Sequence, residues 1–165
     1  MKKTFFLSAI LFAGVFVFGQ PSHPNSPHDT VSAKNIKVTY GRPYKKGREI
    51  FGGLEKFGNV WRVGADEATE ITFAKDGSFG GKPVKAGSYT MWVIPNEKEW
   101  SVILNSDTKF WGTQHEQHKA KDILKVSVPV KTLSSPVEQL TIRFPGSDMI
   151  IEWDKTQVAV PVKVG

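Results

Sequence analysis

The stretch VWRVGADEATE, residues 60–70, places an aromatic ring, a cation and two adjacent carboxylates around Gly64. Arg62 follows Arg42 and Arg48 along the chain, and a guanidinium is a planar fork that pairs in bidentate fashion with carboxylate or phosphate. Two readings of the cluster stand side by side. Arg42, Arg48 and Arg62, with Lys46, could hold the negative or hydroxyl-rich groups of a small ligand, with Asp66 and Glu67 beside them. Alternatively, the same charges form an ion-pair web that pins a long loop to the body of the protein. Trp61 and Trp111 lie in irregular segments and could stack on sugar rings. Trp100 and Trp153 fall in phase with apolar neighbours and read as core. Glu67 and Asn105 complete the candidate set, orienting arginines or accepting ligand hydroxyls.

Other chemistry is thinner. Asp66 or Glu67 could serve as acid or base in glycoside hydrolysis, as could Glu49 or Glu55 with Glu67, but that mechanism requires two carboxyls at set separations. HEQH, residues 115–118, sets two histidines three apart, one residue short of the zinc-protease spacing, with Glu116 or Asp122 as further oxygen ligands. A solvated polar loop is the plainer reading. His23 would suit Cu(II) if Pro21 became the first residue of a processed chain; a cut after Gly19 removes that geometry. There is no cysteine, no G-x-S-x-G elbow, no P-loop and no G-x-G-x-x-G. No metal and no cofactor is therefore expected.

The elements that must carry these residues are strands. Apolar residues alternate in NIKVTY (Ile36, Val38, Tyr40), TEITFA (Ile71, Phe73), EWSVILN (Trp100, Val102, Leu104), ILKVSVPV (Leu124 to Val130), LTIRF (Leu140, Ile142, Phe144), SDMIIEW (Met149, Ile151, Trp153) and TQVAVPVKV (Val158 to Val164). SYTMWVIP offers two apolar faces, Tyr89-Met91-Val93 and Thr90-Trp92-Ile94, and does not say which is buried. Turns are expected at Asp76-Gly77, Gly80-Gly81, Ala86-Gly87, Pro95-Asn96, Ser134-Ser135-Pro136 and Pro145-Gly146. The result is an all-β chain, an antiparallel β-sandwich of about eight to ten strands. Pro129 and Pro161 interrupt strands on their polar faces, which points to edges or bulges because proline cannot donate to a ladder. Two segments break the rhythm, 41–66 and 106–121. Both carry aromatic residues, and both are expected at one end of the frame, where loops display function.

The chain opens with MKKTFFLSAILFAGVFVFGQ, which reads as a signal peptide over residues 1–19: Lys2 and Lys3, an apolar run shorter than a membrane span, then Gly19 at the cut. Residues 20–32, rich in Pro, Ser and Asn, read as a mobile arm, and 33–165 as a single domain. A periplasmic or extracellular home follows, with no stable membrane insertion after cleavage. The formal charge is +6 and the pI about 9.5, but two of those charges belong to the leader. An exported chain of this balance does not suggest nucleic acid.

The run YGRPYKKGREIFGGLEKFGNVWRVGADEATEITF, continued by KAGSYTMWVIPNEKEWSVILN, Trp111-Gly112 and VAVPVKV, resembles an uncharacterised family of secreted bacterial proteins, the domain of unknown function 2911. Its pattern matches here at Tyr40, Arg42-Pro43, Lys46-Gly47-Arg48, Ile50-Phe51-Gly52, Leu54 and Trp61-Arg62 through Thr69. Asp66 stands where the family pattern has Asn, and HEQH departs from it. The resemblance implies export and brings no established activity. The leading expectation is a binding module for an anionic or carbohydrate small molecule. The alternatives are a carbohydrate-active hydrolase using Asp66 or Glu67, and a structural envelope accessory protein.

Overall fold

A computed structural model describes residues 26–165; the leader expected at 1–19, the first part of the arm and His23 lie outside the described residues. Nine strands follow in chain order: β1 (His28–Ala33), β2 (Ile36–Gly41), β3 (Glu70–Phe73), β4 (Gly77–Phe79), β5 (Lys82–Val84), β6 (Gly87–Ile94), β7 (Glu99–Asn105), β8 (Asp122–Arg143) and β9 (Asp148–Val164). A four-residue helix, α1 (His115–His118), precedes β8. Every strand pair is antiparallel, in the order β1-β2-β3-β6-β7-β8-β9-β4-β5. The all-β antiparallel expectation holds, as one continuous order of ladders. That order curls on itself. Phe73 of β3 meets Phe79 of β4 edge-on at 6.2 Å, and the Tyr40 hydroxyl on β2 accepts from the backbone N–H of Ile142 on β8 at 2.9 Å.

Three local expectations are corrected. Residues 28–33, assigned to a mobile arm as far as residue 32, form β1 and pair with β2 from His28↔Gly41 to Ala33↔Ile36; alternation in HDTVSA was masked by its polar composition. Ser134-Ser135-Pro136 is no hairpin turn. It lies inside β8, where the register against β9 slips between Thr132 and Val137, so the extra residues are absorbed as a bulge. Pro129 and Pro161 mark places where long strands change partner. β8 pairs with β7 up to Pro129 and with β9 from Val130; β9 pairs with β8 up to Val158 and with β4 from Val162. A residue without an N–H costs nothing at a point where neither ladder needs its donor.

β6 resolves its own ambiguity, since residues 89–93 are all buried. Met91 and Val93 face the main core. The other face carries Trp92, which the second long segment covers: Phe110 stacks on it at 5.7 Å and His115 lies 4.9 Å away.

The first long segment is nailed down by rings. Phe51 and Trp61 reach into the core to meet Trp100 of β7 and Trp153 of β9, with centroid separations of 4.7 Å for Phe51–Trp100, 5.9 Å for Trp61–Trp100 and 6.0 Å for the stacked Trp61–Trp153 pair. Trp61 also exchanges both backbone hydrogen bonds with Val93, at 2.7 and 2.9 Å. Trp61→Ala is expected to lower unfolding stability by roughly 3–5 kcal/mol, the usual cost of emptying a large aromatic site. Urea denaturation followed by far-UV circular dichroism measures it.

Candidate functional site

Burying Trp61 turns its neighbour Arg62 to the outside. The stretch that follows is forced into place by close backbone packing. A Cβ on Gly41 would strike the Ala65 carbonyl oxygen, and one on Gly64 would stand 3.1 Å from the Gly41 carbonyl oxygen, so two glycines let β2 and the 61–69 turn touch. Val63 adopts φ +55° and Asp66 φ +68°. A β-branched residue in that region is strained; the Thr69 hydroxyl, which donates to the Val63 carbonyl at 2.9 Å, helps hold it. The left-handed backbone at 66 favours Asn or Asp.

The two long segments meet. Gly112 N–H donates to the Asp66 carbonyl at 3.0 Å and Ala68 N–H to Phe110 at 3.2 Å, with Glu67 bridged to Trp111. A side chain on Gly112 would collide with Cδ of Arg62; the arginine stem passes directly beneath this glycine.

Beside that contact opens a cleft of about 470 Å³. Arg48, Arg62, Lys46, Glu55 and Asp66 supply its charges; Tyr44, Leu54 and Trp153 are among its apolar walls. Arg48 donates from Nε to the Lys45 carbonyl at 2.9 Å and from its terminal nitrogen to that of Tyr44. These bonds to neutral carbonyls fix the side chain without cancelling its charge. Arg62 Nε is buried and has no hydrogen-bond partner. No carboxylate among the described residues stands in ion-pair range of Arg48 or Arg62, in contrast to Arg42 and Arg143. Burial pushes the Glu55 carboxyl above its ordinary value, and the positive fields of Arg62 and then Arg48 pull it back in part.

Of the candidate residues, Arg48, Arg62 and Asp66 therefore line one cleft. Arg42 lies elsewhere, donating to the Leu140 carbonyl, the Asp29 carboxylate and the Thr141 hydroxyl, where it ties β1 and β2 to β8. Trp61 is 3% exposed and belongs to the core. Trp111 is 45% exposed but does not line the cleft. Asn105 is buried under the second segment, donating to the His118 carbonyl at 2.8 Å and to Asp122 at 2.7 Å. His28, at the end of β1, approaches Glu67 at 3.3 Å and Asp66 at 3.7 Å. Both carboxylates thus stand beside a histidine. Tyr44 and Leu54 escaped the sequence reading as site residues; Trp153, read as core, is core and also borders the cleft. The signal for Leu54 and Glu55 was the preceding Gly52-Gly53, which folds 49–55 back on itself through Leu54 N–H to Glu49 and Glu55 N–H to Ile50.

HEQH forms α1, and its histidines diverge. His115 Nε2 lies 3.1 Å from Asp122, and His118 Nδ1 lies 3.0 Å from Asp107. Among the described residues no group of three or more His, Cys, Asp and Glu side chains gathers as a metal site, and no helix is long and apolar enough to cross a membrane.

Fold and cleft together define an all-antiparallel β protein with an arginine-lined hollow beside its longest loop. A family model described as protein of unknown function (DUF2911) matches residues 22–162, and the chain belongs to that family. No curated protein and no solved structure matched it.

The raised Glu55 carboxyl has a consequence for stability. A fold that holds this proton more tightly than the unfolded chain loses stability as pH rises from the unfolded value, about 4.3, through the folded one. Glu55→Gln is expected to abolish that loss, so the variant gains on wild type at pH 7 and the gap closes in acid. Urea midpoints taken across that pH range measure the difference.

Proposed function

We propose that this protein is an exported binding module, periplasmic or extracellular. Its curled sheet would act as a one-domain, sandwich-like frame, and the Arg48–Arg62 cleft would take a small anionic ligand such as a sugar acid. One observation carries the reading: Arg48 and Arg62 line one cleft, and among the described residues neither has a carboxylate in ion-pair range. A ligand carboxylate would pair with these guanidinium groups through charge-assisted hydrogen bonds. Leu54, Tyr44 and Trp153 give the ligand an apolar wall, and Glu55 can accept a ligand hydroxyl.

Carbohydrate hydrolysis is the second reading, favoured by the two carboxyl groups in the same cleft, Glu55 with a raised pKa and Asp66. Unequal environments for two carboxyls are what acid–base chemistry on a glycosidic bond uses. The pair would be Glu55 and Asp66; Glu67 does not line the cleft.

Thermal-shift and calorimetric titrations with glucuronate, galacturonate and inorganic phosphate test the binding reading. A sugar acid is expected to raise the melting temperature of wild type, and Arg62→Ala is expected to abolish the response while keeping its strand content. Glu55→Gln should bind more tightly than wild type at pH 7, because the competing carboxylate is gone, with the difference vanishing as acid protonates Glu55. An unchanged response in Arg62→Ala removes the site. Release of nitrophenol from aryl glycosides by wild type, lost in both Glu55→Gln and Asp66→Asn, would establish the hydrolase instead.

A further inference from the structure

We propose that the slot between β5 and β8, away from the arginine cleft, is a docking site for an extended acidic segment of a partner protein, which adds to the sheet as a further strand along β8. The slot holds about 470 Å³. It is lined by four consecutive residues of β8, Asp122 to Lys125, by Lys82 and Pro83 of β5, and by Ile103 of β7. Successive side chains of a strand point to opposite faces. A hollow that touches four in a row therefore runs along the strand's edge rather than over one face.

The alternation of hydrogen bonds leaves this edge open. Val93 of β6 exchanges both backbone bonds with Trp61, so Trp92 beside it turns towards β7, where it pairs with Ile103. In an antiparallel ladder the bonding direction alternates from residue to residue. Ile103 is thus bonded to β6, and Lys125, its partner on β8, directs its N–H and carbonyl away from β7. Val130, of the opposite parity, donates to the Lys98 carbonyl at 2.9 Å and fixes the same alternation independently. Pro129 falls on the outward side, where a missing N–H breaks no ladder. Among the described residues no ladder covers this side of β8 from 122 to 129. β5 faces it across the slot, but β5 pairs only with β4 and ends the strand order. The Lys82 side chain crosses the gap, donating from Nζ to the Lys125 carbonyl at 2.9 Å.

Charge selects the occupant. Among the described residues neither Lys82 nor Lys125 has a carboxylate in ion-pair range, unlike Lys85, which pairs with Asp76 at 2.7 Å. The carboxylate in the slot, Asp122, already accepts from Asn105 at 2.7 Å and meets His115 at 3.1 Å. Ile123 stands 51% exposed on the rim, and Ile103 adds a buried apolar wall. An added strand therefore meets two uncancelled ammonium groups and isoleucine surface. Their complement is a segment that alternates carboxylate with branched apolar side chains, held by main-chain bonds to the β8 edge. A second copy of this chain does not fit, because pairing edge to edge would set these lysines against their own counterparts. Lysines and a proline blunt the edge against self-association and leave it open to an acidic strand.

Amide hydrogen exchange and proton–nitrogen correlation spectra of the whole protein test this, with two blocked heptapeptides as probes, one alternating valine with glutamate and one alternating valine with lysine. The glutamate peptide is expected to slow exchange of the Lys125 amide and to shift the amides of residues 123–127; the lysine peptide is expected to do neither. Lys82→Glu should raise the dissociation constant read at these amides at least about tenfold, equal to the loss of one charge-assisted hydrogen bond. Lys125→Pro removes the outward N–H without taking a bond from β7, and should abolish the shifts at its neighbours while the β7 amides stay in place. Arg48→Ala, in the arginine cleft, should leave the response at the β8 edge unchanged. Equal responses to the two peptides, a Lys125 amide that stays unprotected, or an affinity unchanged in Lys82→Glu overturns the proposal. So does loss of the response in Arg48→Ala, or protection of the Lys125 amide that grows with protein concentration in the absence of peptide, which would assign the edge to a second copy.

Discussion

The four-ring cluster of Phe51, Trp61, Trp100 and Trp153 is the contact on which the cleft end of this molecule depends. Two of its rings come from a segment without regular structure and two from strands that are distant in sequence. Ordering a segment as long as 42–69 costs roughly 1–2 kcal/mol of backbone entropy per residue. Burial of two large aromatic side chains, with edge-to-face and stacked geometry adding to the area removed from water, offsets a fraction of that at the point where the segment meets the core. The Trp61–Val93 backbone pair then fixes direction as well as depth. Once Trp61 points inward, Arg62 has to point outward, and the cleft inherits its position from the core.

Glycines convert this anchoring into a shape. Gly41 and Gly64 allow backbone-to-backbone contact at the start and middle of the segment, and Gly112 allows the second segment to lie across the Arg62 stem. Each is a place where a side chain would force the chains apart. The strained φ at Val63 and the left-handed φ at Asp66 are the cost of turning twice within four residues so that Arg62 and Asp66 border the same hollow. Such strain persists only where surrounding contacts over-determine the backbone, and here they do: Thr69 from within the turn, Gly41 from the sheet, Gly112 from the opposite segment.

Much of this was legible in the residues. Strict alternation located the buried faces of β2, β7, β8 and β9, because a sheet with one dry face must alternate. The two long segments stood out by length and ring content, and they do meet. What stayed hidden has physical reasons. Trp61 and Trp111 look alike in sequence, each beside charge in a loop, yet one is core and the other exposed; the choice is made by Trp100 and Trp153, which lie far along the chain. Both faces of β6 are buried because a distant segment covers the outer one, and no local period records that. Arg42 matched Arg48 and Arg62 in type but follows the strand direction of β2, which carries it to β8 and away from the cleft. The partner changes at Pro129 and Pro161 read as interruptions because pairing is a property of two strands and proline reports on only one.

The contact between Arg62 and Gly112 has one further role in this arrangement. Arg62 lines the charged cleft, Gly112 lines the hollow above His115, and the two residues touch. The stem of a single arginine is thus the partition between a cavity with uncancelled positive charge and one whose lip charges, Glu116 and Lys119, lie 3.5 Å apart and offset each other. The Arg62 side chain lies against Gly112, so the two hollows are neighbours that share one wall.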